Sequence, residues 1–141
     1  MKKFFPNEKR EHYLGNSYTE DEFQDYLNSS VKLLPIRMLN NYVISNEGKV
    51  FYRDTNDKKI YEVEPWIFND ILYVSLFDSN NDDFKYYKLG ILVITHFMFV
   101  DNYAYYKFSK CKCGYYDNDF KNCNLNNLYI SDLNLSLKSV G

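Results

Sequence analysis

Residues able to do chemistry concentrate between positions 96 and 127. Three thiols, Cys111, Cys113 and Cys123, lie close together with His96 upstream. Thiolates and an imidazole can close a tetrahedral zinc site. The spacing argues against one here, because a Cys-x-Cys pair chelates less well than Cys-x2-Cys and no second pair follows. Free thiols are the expected state, with His96 a hydrogen-bonded histidine on a packed helix. A Cys-His nucleophilic enzyme is disfavoured, since nothing in the sequence sets a base beside a thiol. Lys107, Lys110, Lys112 and Lys121 surround the same stretch, interleaved with Tyr105, Tyr106, Phe108, Tyr115 and Tyr116. Such a mixture can stack bases and neutralise phosphates. The plainer reading is a lysine-decorated aromatic sheet.

The whole chain has 141 residues, 17 Lys+Arg against 19 Asp+Glu, and a formal net charge of -2. Phosphate binding dominates nucleic-acid affinity, so near-neutral charge and only three arginines (Arg10, Arg37, Arg53) work against a strong DNA binder. A chain of this length buries roughly 68–70% of its unfolded surface and needs no disulfide or metal to hold a core. Stability therefore does not explain the cysteines. Aromatic residues make up 19% of the chain, so the core is expected to be built from rings. One alanine (Ala104) beside many lysines and asparagines reads as the codon usage of an AT-rich genome. The start, Met1 to Glu8, lacks the apolar run of a secretory signal. The most apolar stretch, Leu89 to Val100, is too short for a membrane span of about 20 residues. Reduced thiols in a cytoplasm are the expectation.

These residues must be positioned by short elements. Thr19-Glu20-Asp21-Glu22 fits a capping box, and Phe23, Tyr26 and Leu27 then form one apolar stripe, which predicts a short helix. It is expected within an N-terminal arm, residues 1–35. From 41 to 99 the pattern changes to short alternating runs, and Ser45-Asn46-Glu47-Gly48 is a hairpin turn between Tyr42-Val43-Ile44 and Lys49-Val50-Phe51-Tyr52-Arg53. Further strands are predicted at 59–63, 71–77 and 84–88, with a solvated acidic loop at 78–83. Leu92, Val93, His96 and Phe97 have the spacing of a buried helix. Tyr103 to Phe108 reads as a strand. The tail 132–141 alternates apolar and polar at Leu133, Leu135 and Leu137, as a strand added to a neighbour would.

Tyr42-Val43-Ile44-Ser45-Asn46-Glu47-Gly48-Lys49-Val50 resembles the opening of the nuclease-associated modular domain that precedes the nuclease domain of phage HNH homing endonucleases. Ile71 to Phe77 is similar to that family's next strand, and Tyr86 to Met98 to its "H-R-L-V-A-x-A-F" helix. Asp117, Asn122, Asn127 and Leu128 fall at the spacings of its "N-H-x-D-G-N-x-x-N-N-x-x-x-N-L" stretch. The resemblance covers residues 36–131. It implies an α+β fold of small antiparallel hairpins with a short helix packed across them, ending in a ββα unit.

In that family a histidine activates water while a neighbouring Asp and a later Asn hold one divalent cation. By the same resemblance the histidine position here is Tyr115 and the acid before it is Gly114. A phenol, with a pKa near 10, is a poor general base at neutral pH, and glycine offers no ligand. The helix His and Arg are replaced by Gly90 and Ile91. What survives, Asp117, Asn122 and Asn127, suits loop geometry without catalysis. The resemblance thus implies a degenerate site in a non-catalytic structural or protein-interaction module, phage-encoded, in the host cytoplasm or carried in a virion. Protein partners or self-assembly are expected, with no cofactor, no membrane and no small-molecule substrate. The alternative is a nucleic-acid-binding protein or weak metal-dependent nuclease, with magnesium or zinc, that recruits Asp117 or Asp119 and uses the four lysines.

Overall fold

The computed structural model describes residues 2–4, 11–27 and 31–131. Strand β1 (Lys2–Phe4) pairs with β2 (Glu11–Tyr18), and helix α1 (Glu20–Leu27) follows. The capping box forms in both directions: the Glu22 N–H donates to Thr19 Oγ1 at 3.2 Å, and the Thr19 N–H donates to Glu22 Oε1 at 2.8 Å. Phe23 is the buried residue of α1 and meets Phe51 edge-on at 5.1 Å.

Strands β3 (Leu33–Pro35), β4 (Tyr42–Ser45), β5 (Val50–Arg53) and β6 (Ile60–Val63) complete a six-stranded antiparallel sheet in the order β1-β2-β6-β5-β4-β3. Residues 11–27 and 33–35, expected as an arm, are therefore part of this sheet and its cover. The physical reason is that Leu14 faces Val63 across the β2–β6 pairing and is fully buried, while Phe23 closes over Phe51 and Ile60. An arm held off the domain would leave those rings in water.

A second, three-stranded sheet contains β7 (Trp66–Phe68), β8 (Ile71–Asp78) and β9 (Asp83–Lys88). Helix α2 (Leu89–Met98) follows without a loop and is buried from Leu89 to His96, because its mean composition is apolar on every face. It packs on β8, β9 and the short hairpin of β10 (Cys113–Tyr115) and β11 (Leu128–Ile130). The main core runs from Leu14 and Ile44 through Val74 and Leu76 to Ile91, Leu92 and Leu128.

The segment expected as a strand at Tyr103–Phe108 is helix α3 (Ala104–Phe108). Its buried positions, Ala104, Tyr105 and the half-buried Phe108, recur at helical spacing. Asp101 starts the turn, its Oδ1 accepting from the Tyr103 N–H at 2.8 Å and its carbonyl from Ala104 at 3.1 Å. The tail 132–141 lies outside the described residues.

Candidate functional site

The strands β10 and β11 bring the expected site together beside the start of α2. A cleft of about 270 Å³ opens there, lined by Lys88, Gly90, Cys111, Lys112, Cys113 and Tyr115, with the tight Asn69-Asp70 turn as its far wall. Both turn residues are left-handed, φ 51° and 59°, as a two-residue hairpin between β7 and β8 requires.

Gly90 decides what this cleft can hold. A Cβ placed on it would lie 2.6 Å from Cys113 Sγ and 3.5 Å from the Tyr115 hydroxyl. The volume that a side chain at 90 would enter is thus filled by the two neighbours from β10. The Cys113 thiol donates to the Gly114 carbonyl at 3.7 Å. Burial pushes the Cys113 thiol up to about 11, and burial likewise raises the Tyr115 phenol well above its ordinary value. Both stay protonated at neutral pH. Neither has the character of a general base or an activated nucleophile.

Below the strands, the loop 116–127 is organised by its own amides and carboxylates. Asp117 Oδ1 accepts from the Asp119 N–H, Asp119 Oδ1 from Lys121, Asn122 Oδ1 from Asn124, and Asn124 Oδ1 from Asn126, at 2.9, 3.0, 3.3 and 3.1 Å. These are four successive Asx turns. Asn118, with φ 60°, takes the left-handed position. Asn127 is buried and ties the loop shut: its Nδ2 donates to Asp117 Oδ1 at 2.8 Å and to the Asn122 carbonyl at 2.9 Å, and its Oδ1 accepts from the Asp117 N–H at 3.0 Å. Asn122 Nδ2 donates to the other Asp117 oxygen at 2.8 Å. These donors, Asn122 first, hold the Asp117 carboxyl below its usual range. The inner loop carboxylate is therefore already satisfied by the protein's own amides.

The zinc combination does not assemble, and among the described residues no three His, Cys, Asp or Glu side chains converge as a metal site would need. His96 is committed elsewhere. Its Nδ1 lies 2.9 Å from the Leu92 carbonyl, and its Nε2 accepts the Arg37 N–H at 3.0 Å. Cys123 is buried, its thiol pushed up to about 12 by that burial. The four lysines are separated in environment. Lys107 pairs with Asp101, Lys121 lies 6.0 Å over the Phe120 ring, and Lys112 lines the cleft. Lys88, which the sequence reading passed over, joins Lys112 there, and its Nζ donates to the Cys111 carbonyl at 3.4 Å.

The chain as a whole has a counterpart among solved structures. The fold is similar to that of an HNH endonuclease. The chain is similar to I-HmuI, an HNH homing endonuclease solved in a study of DNA binding and cleavage, with a TM-score of 0.53 and 18% identity. The likeness covers 77% of this chain and 58% of I-HmuI, so the chain spans less than two thirds of that structure. No protein-family model and no curated protein matches the sequence. At 18% identity I-HmuI speaks for the mixed α+β fold of antiparallel sheets with few helices. Among the described residues no helix is long and apolar enough to cross a membrane.

Arg37 was not singled out from the sequence and ties the far end of α2 to the β3–β4 connection. Its guanidinium donates to the Thr95, His96 and Asp101 carbonyls at 3.2, 3.1 and 2.9 Å and also to that of Phe99. The Thr95, His96 and Phe99 carbonyls are helix-end acceptors of α2, where a cation is favoured, and the Asp101 carbonyl belongs to the turn that follows. No local pattern announces it, because its partners are 58–64 residues away.

Proposed function

We propose that this chain is a non-catalytic interaction module built on an HNH-endonuclease-like fold, phage-encoded and acting through protein contacts, including as a virion component. The observation that carries the loss of chemistry is the filled space at Gly90. Cys113 and Tyr115 stand where a helix side chain would aim at a scissile phosphate, and both are protonated donors at neutral pH. Gly114, whose added Cβ would fall 2.1 Å from the Tyr129 ring, has no ligand to offer. Asp117 is left with its oxygens engaged by Asn122, Asn127 and the Asp119 amide.

The surface supports a protein partner. Tyr116 and Tyr129 form an exposed ring pair 4.7 Å apart at an apolar groove of about 460 Å³ that Met98 and Leu128 also line. On the second sheet, Trp66 stacks on Tyr73 at 4.7 Å beside exposed Phe68 and Tyr86. Tyrosine and tryptophan supply contact area at low entropic cost.

The second reading, nucleic-acid binding, rests on Lys88 and Lys112 flanking one cleft. One experiment separates the two. The purified chain is run on size exclusion with light scattering, alone and with duplex DNA and millimolar magnesium, and the DNA is examined for nicks. Self-association or inertness toward DNA, with no nicking, is the expected result. Metal-dependent nicking would sink the proposal; a DNA shift with a steep salt slope and no nicking would leave the non-catalytic part and replace the partner.

A further inference from the structure

Two parts of the molecule meet at one histidine. The connection between β3 and β4 carries Ile36 and Arg37, and the last turn of α2 carries His96, which is 5% exposed. The Arg37 backbone N–H donates to His96 Nε2 at 3.0 Å, so that nitrogen must be unprotonated. Nδ1 sits 2.9 Å from the Leu92 carbonyl and therefore carries the proton. The neutral Nδ1–H tautomer is the one form that satisfies both contacts.

Protonation would place two N–H groups against each other at the Arg37 contact, in a buried setting that already holds a guanidinium. Among the described residues no carboxylate is hydrogen-bonded to the ring or to the Arg37 guanidinium. Asp101, next to the Arg37 site, turns its carboxylate to Lys107 and to the Tyr103 N–H. On β8 and β9, Asp78 pairs with Lys85 at 3.2 Å and Lys88 points to the Cys111 carbonyl. Strand β11 and the turn 125–127 carry no charged residue. Among the described residues, Arg37 is the charged group that acts on the ring, secondary to burial.

We propose that His96 and Arg37 form an acid-sensitive latch: protonation of His96 releases the β3–β4 connection from the end of α2 and loosens the hold of the six-stranded sheet on that helix. Burial, and secondarily Arg37, hold the imidazole below its ordinary value, consistent with a latch closed at neutral pH. The sign follows from that direction. A base depressed in the folded state contributes stability that is complete above about 6.5 and is lost as pH falls below it. The folding equilibrium constant should drop by up to about tenfold per pH unit in that window, until the depressed folded-state value is reached.

The test is an NMR titration of the intact chain, which has only two histidines, from pH 7.5 downward, together with the exchange protection of the Arg37 amide. Expected is a His96 midpoint below the ordinary imidazole value, with Arg37 protection and α2 end-turn protection falling in step. A His96→Gln variant, which keeps an acceptor for the Arg37 N–H and cannot titrate, should remove the pH slope of urea unfolding between about pH 6.5 and 5. If the variant does not fold, the wild-type titration decides alone. A midpoint at or above the ordinary value, Arg37 protection unchanged while His96 titrates, or a ring that stays neutral until the whole chain unfolds would each overturn the proposal.

Discussion

The two halves of the candidate site are held by opposite means. The loop 116–127 is polar and closed on itself, its carboxylate and amide groups bonded to one another and to local backbone. The strand end at Cys113 and Tyr115 is half-buried and packed against Gly90. In the loop, each residue at a nuclease-like spacing has a geometric task, forming a turn or closing the loop. On the strand side, where matching residues would have no structural work, thiol, phenol and glycine fill the space. Retention of a motif residue is therefore weak support for catalysis when the fold gives it a geometric task.

Asn127→Ala is the largest way to break the loop side. It removes three side-chain hydrogen bonds and leaves the Asp117 N–H without its acceptor, so a loss of about 2–3 kcal/mol is expected in urea unfolding. A cost below about 0.5 kcal/mol would show the network to be decorative.

The strand side is sharpened by a change of sign. Gly90→Ala alone should destabilise by about 1–2 kcal/mol, because its Cβ meets Cys113 Sγ at 2.6 Å. In a Cys113→Ala background the same change should stabilise by up to about 1 kcal/mol, the ordinary helical preference of alanine over glycine. A double-mutant cycle measures this, and additivity would refute the filled-volume account.

Thr19→Ala serves as a reference remote from both halves, with about 1 kcal/mol expected from loss of the N-cap. The smallest effect concerns acid. Asp117 is depressed in the folded state, so its contribution is present above the ordinary carboxylate range, near pH 4, and fades as pH falls through it. Asp117→Asn should flatten that acid limb of a stability profile while leaving the His96 window untouched.

Much of this fold is legible from local signals. The capping box at Thr19, the Asn-x-Gly hairpin and the polar turns of 117–126 act over two to four residues, and each forms as its chemistry requires. Helix α2 shows through its apolar spacing. Helix α3 does not, because Tyr and Phe favour strands and the helix is decided by Asp101 and by burial of Tyr105, whose hydroxyl accepts the Lys88 N–H at 2.8 Å. Sheet membership of β2 and the role of Arg37 depend on distant backbone groups and leave no periodic trace. The site residues could be named from the sequence, but the occupation of the Gly90 volume requires three dimensions.

The turn between β4 and β5 bears on whether the hairpin site is portable. Gly48, at φ 83°, presses against Cys123, where an added Cβ would fall 2.5 Å from the carbonyl oxygen, and the neighbouring Asn46 carbonyl accepts the Leu125 N–H at 2.8 Å. The loop that carries Asp117 to Asn127 is thereby braced from a point more than seventy residues upstream in the chain. Transplanting the β10–β11 hairpin with α2 into another scaffold would leave that brace behind. Such a graft would inherit the motif's spelling without the support that keeps it in shape.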